Sequence, residues 1–254
     1  MFKASQYKLQ IFDSCPFQYK CIYIDGLADV YRQHRPYFTM GDNIHAALKD
    51  FMSVIPVQNR NLKIAHQLLR TKWRRMRKGF KDSEEEKKWG QKALLQIENF
   101  VCTQDLSITP FLVEDYHDTQ IDQDLTLLGR IDRVDKIKNE LHVIDYKTGK
   151  LVPEEINTLQ LFFYSIILER KFRLPVKRAS FHFLAENKII DFEPKSADLE
   201  KTLLKIKKEV KRILAEKTFE ASPNKYCSTC DFIGICPKKD LAQNQKQKEN
   251  DLPF

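Results

Sequence analysis

The chain has 254 residues, 42% hydrophobic and 31% charged, with 43 Lys and Arg against 35 Asp and Glu for a net charge of +8. That length can bury one sizeable core. No run approaches the roughly 20 apolar residues of a bilayer span, and the opening MFKASQYKLQIFDSC lacks an apolar signal core, so a cytoplasmic protein without a membrane partner is expected. The basic excess suits a polyanion such as nucleic acid, or simply a solvated surface. Six cysteines in that setting point to metal rather than to disulfides.

In chain order, residues 5–24 carry Tyr7, Phe12, Phe17, Tyr19, Ile22 and Tyr23 at helical spacing. A second helix is expected after Thr39, with Thr39 and Asp42 as a capping pair, ending before Pro56. NRNLKIAHQLLRTKWRRMRKGF forms a third, and SEEEKKWGQKALLQIENFV a fourth, capped at Ser83 with acids in its first turn. The texture then turns to short β-rich segments bounded by turn residues: SITPFLVEDYH, LTLLGRIDRVDKI and ELHVIDYKTG. Pro153 opens a helix through EEINTLQLFFYSIILERK. Two more strands, RASFHFLAE and KIIDFEP, precede the amphipathic helix SADLEKTLLKIKKEVKRILAEK. The result is an α/β chain with a helical N-terminal portion.

The stretch 129–150, GRIDRVDKIKNELHVIDYKTGK, predicts a hairpin turning at Lys138-Asn139. Opposed residues then have numbers summing to about 277, which places Asp132 opposite Asp145 with Cβ atoms about 5 Å apart. Lys147, two residues past Asp145, shares its face. The apolar neighbours Ile131, Val134, Leu141, Val143 and Ile144 predict burial on both faces. Two acids and a lysine are costly there without a purpose. Paired carboxylates suit Mg²⁺ or Mn²⁺, and a lysine beside them suits phosphodiester hydrolysis. By spacing alone a surface hairpin with an Asp–Lys pair fits equally well.

Near the C-terminus, Cys227, Cys230 and Cys236 leave a tetrahedral ion or a cubane one ligand short. Cys15, Cys21 and Cys102 are the candidates for the fourth, and four thiolates suit Zn²⁺ or an iron–sulfur cluster. The densest basic stretch, residues 66–81, holds Lys72, Trp73, Arg74, Arg75, Arg77 and Lys78 beside Phe80. Cations among aromatics suit a single strand, with phosphates neutralised and bases stacked.

GRIDRVD followed by VIDYKTGK, and Gln160 with Tyr164 four apart in QLFFYS, resembles the RecB-like branch of the PD-(D/E)XK nuclease superfamily. The resemblance runs from Cys15 to Cys236. It implies a restriction-endonuclease-like core, a central mixed β-sheet flanked by helices, and a cysteine-bound cluster joining the two ends. It implies that His45, in GDNIHAAL, is a metal ligand or water-positioning group beside Asp132 and Asp145, with the Ile144 carbonyl as a further ligand. It also implies that Lys147 assists the attacking water, that Gln160 and Tyr164 flank the site, and that Glu114 adds an acid from the preceding strand. Asp135 is expected to be a salt-bridge partner. Cys15, before Pro16, becomes the fourth ligand of a [4Fe–4S] cluster, with Cys21 the runner-up, Cys102 a buried small hydrophobe and Zn²⁺ the alternative metal.

The implied layout is a single nuclease domain over 1–237, with a helical portion at about 40–104, a core at about 105–220 and a cluster loop at 222–237, followed by a disordered polar tail over 238–254. The implied activity is that of a Mg²⁺- or Mn²⁺-dependent deoxyribonuclease, an exonuclease acting on single-stranded DNA or free ends in repair or recombination. The alternatives are a CRISPR-adaptation nuclease and a non-cleaving DNA-binding subunit of a helicase–nuclease complex. A helicase or other repair protein is an implied partner. The closing ENDLPF resembles the tip of single-stranded-DNA-binding proteins and suits docking on proteins that read such tips.

Overall fold

A computed structural model describes residues 1–241. Most of the expected tail, 242–254 with its Leu-Pro-Phe end, lies outside the described residues, whereas residues 239–241 are helical. The chain divides into two compact units: His34–Leu203 together with Met1, and Phe2–Gln33 together with Leu204 onward.

The second unit begins with a short strand β1 (Phe2–Ala4), then α1 (Gln6–Ser14), α2 (Pro16–Tyr23) and a single turn α3 (Ala28–Tyr31). One helix was expected over 5–24. The chain instead breaks at Cys15, whose backbone is extended, and Pro16 restarts it at the first helical position, where a missing N–H costs nothing. Phe12, Tyr19 and Phe219 pack as ring pairs with centroids 5.3 to 6.5 Å apart.

The first unit opens with α4 (Pro36–Ser53), α5 (Leu62–Arg75) and α6 (Ser83–Thr103). Helix α4 starts at Pro36, three residues before the expected cap. The Thr39 hydroxyl donates instead to the Lys78 carbonyl at 2.7 Å. The cap of α6 is Asp82, one residue before the expected Ser83, and its side chain accepts from the Glu85 N–H at 2.8 Å. The acids Glu84, Glu85 and Glu86 do occupy the first turn. Arg60 is buried between α4 and α5, where its guanidinium donates to the carbonyls of Met52, Ile55, Leu106 and Ile108.

Five strands of this unit form a mixed sheet: β2 (Leu112–Gln120), β3 (Leu125–Ile137), β4 (Glu140–Lys147), β5 (Val176–Phe183) and β6 (Lys188–Phe192). They lie in the order β2-β3-β4-β5-β6, antiparallel except for β4 and β5. A parallel pair needs a crossover, here supplied by α7 (Leu159–Phe172). The expected helix from Pro153 is shorter: Pro153–Glu155 make one 3₁₀ turn, and the α-helix begins at Leu159. The last helix, α8, covers Ser196–Ala215.

The β3–β4 hairpin pairs Ile137 with Glu140 and Arg133 with Ile144, so opposed numbers sum to 277 as the sequence predicts. Both strands are almost continuously buried, because helices cover both faces. On one face Ile144 and Tyr146 join the core of α4, α5 and α6 around Ile44, Leu48, Phe51 and Phe100. On the other lies α7, with Leu161, Phe163 and Ile167 buried. Arg133 and Asp135 form a buried two-point ion pair at 2.7 and 2.8 Å, the role expected of Asp135. No helix of the described residues is long and apolar enough to cross a membrane.

Two sheet histidines are held neutral. Burial, with help from Arg178, pushes His142 down to about 4, and burial pushes His182 down to about 4. An unfolded histidine titrates near 6.5, so between pH 4 and 6.5 the unfolded chain binds protons that the folded chain does not. The contribution of these two histidines to stability therefore rises with pH across that window, is complete above it, and is lost as pH falls. Each histidine contributes at most roughly 3 kcal/mol. In urea titrations from pH 4.5 to 7, His182→Phe should gain less stability with rising pH than wild type does. An unchanged slope in that variant would refute the assignment.

Candidate functional site

Three neighbouring strands and two helices, α4 and α7, bring the site together. Asp132 lies in the middle of β3, and its Oδ2 accepts the Tyr146 N–H of β4 at 2.7 Å. This bond ties the carboxylate to the hairpin register. Extended by one pair, the register sets Asp132 against Asp145. On the other side, β2 pairs Val113 with Arg133 and Asp115 with Ile131, which leaves Glu114 across from Asp132. Glu114 adopts φ of 48°, the left-handed region that a side chain disfavours. Its carboxylate is 2% exposed. Three acids thus lie in a row across the sheet, an arrangement that like-charge repulsion opposes.

Cationic groups gather on them. His45 Nδ1 lies 2.7 Å from Glu114 Oε1 and 3.4 Å from Asp132 Oδ1. Arg130 Nε lies 2.7 Å from Glu114 Oε2, and Lys147 Nζ 2.6 Å from Asp145 Oδ2. That last contact is an ion pair. Burial opposes charge on His45, but Asp132 and Glu114 outweigh it and push the imidazole well above its ordinary value. Burial and then the Asp132 charge push Asp145 up, against Lys147 and His45.

His45, Glu114 and Asp132 each offer one ligand atom, all within 4.8 Å of one another. An imidazole and two carboxylates so placed fit a divalent cation with O and N ligands. The sequence puts His45, Asp132 and Asp145 in the ligand set. In the structure the converging trio is His45, Glu114 and Asp132, with Asp145 beside it and paired to Lys147.

The remaining expected residues form a relay. Lys147 donates to Gln160 Oε1 at 2.7 Å, and Gln160 Nε2 donates to Tyr164 Oη at 3.1 Å. Burial raises the Tyr164 hydroxyl, which stays neutral. Two glycines admit these elements. A Cβ on Gly129 would stand 2.8 Å from Tyr164 Cε1, and one on Gly41, a turn before His45, would stand 3.1 Å from Thr148 Oγ1. Arg130 has no assigned role in the sequence reading. Its diagonal placement against Glu114 becomes legible only once β2 is paired with β3 in register.

Half of the basic stretch is engaged within the protein. Lys72 pairs with Asp50. Trp73 donates to Glu86 Oε1 at 3.0 Å and stacks on Phe80, and Arg77 grips both Glu86 oxygens at 2.6 and 2.8 Å. Arg74, Arg75 and Lys78 remain exposed.

In the second unit, 3₁₀ turns at Cys227–Thr229 and Ile233–Ile235 space the three late cysteines. Backbone N–H groups aim at sulfur, Ser222 to Cys15 Sγ at 3.5 Å and Asn224 to Cys227 Sγ at 3.2 Å. Asn224 also donates to the Ser14 carbonyl at 3.1 Å, tying the loop to the break before α2. Burial pushes Cys230 up, with Cys15 and Cys227 adding to the shift. Burial and Asp25 push the runner-up, Cys21, up to about 11, with Cys230 and Cys15 contributing. It is a buried neutral thiol close enough to Cys230 and Cys15 to feel their charge. Cys102 is exposed, not a buried hydrophobe as expected.

The fold and site define a class. A family model of the PD-(D/E)XK nuclease superfamily matches residues 3–237, and the chain belongs to that superfamily. A crystal structure from Eubacterium rectale, named "Putative exonuclease", is similar to it with a TM-score of 0.52 and 10% sequence identity, covering 83% of this chain and 79% of that one. At that identity the likeness is one of fold. No curated protein matches this chain.

Gly129→Ala should drive the Tyr164 ring away and loosen its bond to Gln160. Overpacking of this kind costs about 1 to 3 kcal/mol. A fall of that size in the urea midpoint is expected, and Gly129→Ala/Tyr164→Ala should recover part of it. A single variant as stable as wild type would show that the close approach is not constraining.

Proposed function

We propose that this chain is a RecB-like, Mg²⁺- or Mn²⁺-dependent deoxyribonuclease that acts on single-stranded DNA or free ends. The observation that carries the reading is the convergence of His45, Glu114 and Asp132 beside the Asp145–Lys147 pair in one partly buried site. His45, Glu114 and Asp132 would hold the ion, with Asp145 completing the set, and the repulsion among the acids supports that fit. The chemistry a bound Mg²⁺ or Mn²⁺ supplies is polarisation of the phosphate and a lowered pKa for a bound water. Lys147, fixed by Asp145 and Gln160, neutralises charge growing on the phosphate and orients the attacking water. Tyr164 holds Gln160, and hence the ammonium, in place. Arg74, Arg75 and Lys78 supply sequence-independent phosphate contacts. An exonuclease working with a helicase or another repair protein is the pathway reading we favour.

End-labelled single-stranded DNA with Mg²⁺ or Mn²⁺ tests this on anaerobically purified protein. Wild type should cut, and Asp145→Ala should cut at least roughly 100-fold more slowly. Cutting that persists in the variant sinks the site assignment. If wild type binds DNA but never cuts, the non-cleaving subunit takes its place.

We further propose that Cys15, Cys227, Cys230 and Cys236 hold a [4Fe–4S] cluster, with Zn²⁺ as the alternative. Four sulfurs in one unit, two of them accepting backbone N–H groups, suit thiolate ligation. Because the ligands are far apart in the chain, the cluster closes a long loop, and its role is structural. Cys227→Ala should lower Tm and remove iron and sulfide from the purified protein. A Cys227→Ala protein with unchanged Tm and full cutting would overturn the structural role.

A further inference from the structure

A groove of about 430 Å³ lies along the start of β2. Pro56 and Val57, after α4, line one wall, and Pro110, Phe111 and Val113 line the other. Lys49 also lines it. Phe111 is 37% exposed, and its ring meets Phe172 edge-on at 5.0 Å, which fixes its plane. Lys136 Nζ stands 5.8 Å from the same ring. The groove mixes apolar and polar walls, with Ser53 and Thr109 among its lining residues and cations along the lining and near its aromatic ring.

Two positions near in sequence to site residues connect it to the site. Val113 immediately precedes Glu114. Lys49 follows His45 by four residues, one helical turn along the same face of α4 and about 6 Å further on. Lys49 is exposed and forms no ion pair among the described residues, whereas Lys72 nearby in α5 is matched by Asp50. An unmatched ammonium one turn from the centre, beside a rigid aromatic wall, has the chemistry of one nucleotide: a phosphate at one end and a flat base at the other.

We propose that this groove is a nucleoside subsite, in which the base next to the phosphate being cut packs against Phe111 and Lys49 neutralises that nucleotide's phosphate. The proposal rests on the nuclease reading and adds to it a position at which the strand is gripped by its base. Stacking of this kind tolerates any base, so the subsite reads the presence of a base rather than its identity. A strand lacking a base at that one position would be held poorly.

Binding of labelled single-stranded oligonucleotides, each with one abasic site at a successive position, tests it in EDTA so that no strand is cut. Full-length wild type should show a penalty of about five- to 100-fold at one position. Phe111→Leu, which keeps the wall apolar and should keep the wild-type Tm, should reduce that penalty to less than about twofold while leaving other positions alone. Lys49→Gln should lower the slope of log affinity against log salt by about 0.7, the share of one phosphate on a single strand. A flat abasic profile, as a groove meant for a peptide would give, overturns the subsite. So does a penalty that persists in Phe111→Leu, or the absence of measurable binding. Cutting of unmodified DNA by wild type in Mg²⁺ or Mn²⁺ reports separately on the nuclease reading. Cutting together with a flat profile removes the subsite alone.

Discussion

Negative charge buried across the sheet is the constraint on which the rest of this structure depends. Glu114, Asp132 and Asp145 come from three adjacent strands, and none can ionise at low cost without a cation. Much of the surrounding architecture serves that need. Helix α4 approaches closely enough at Gly41 to present His45. Gly129 makes room for the ring that closes the Lys147–Gln160–Tyr164 relay. Arg130 is drawn to Glu114 even though it remains largely exposed. These groups balance the acids only in part, since burial and the Asp132 charge still raise Asp145.

The hairpin was legible because its information is local. A turn at Lys138-Asn139 and a period of two determine the pairing, and the pairing places Asp132 against Asp145 without reference to any distant residue. Gln160 and Tyr164 were legible only through the family resemblance, because a spacing of one helical turn by itself fits ordinary helix packing equally well. Glu114 was visible only as an acid on a strand. Its part in the converging trio depends on the β2–β3 register and on a left-handed backbone at a non-glycine residue, neither of which has a sequence signal. Helix ends were misplaced where tertiary bonds competed with local caps. Thr39 looks like a cap in isolation, yet its hydroxyl is bound to the carbonyl of Lys78, far along the chain.

Composition was the weakest guide. The run from Lys72 to Lys78 suggests one continuous basic surface, but half of its named side chains are turned to structural ends. Glu86 alone engages Trp73 and Arg77. A run of like charge in sequence says nothing of where its counter-charges fold back, and here they come from α4 and α6. The exposed remainder, Arg74, Arg75 and Lys78, is a smaller and more scattered cationic patch than the sequence implies.

The left-handed conformation of Glu114 has a consequence for how this protein can change. A non-glycine residue there costs on the order of 1 kcal/mol or more, and glycine is the residue that relieves it. Glycine, however, has no carboxylate to meet His45. Stability and chemistry therefore pull against each other at this one backbone position. A search for more stable variants would drift toward losing the acid, and a lineage that retains Glu114 must secure its stability elsewhere in the fold.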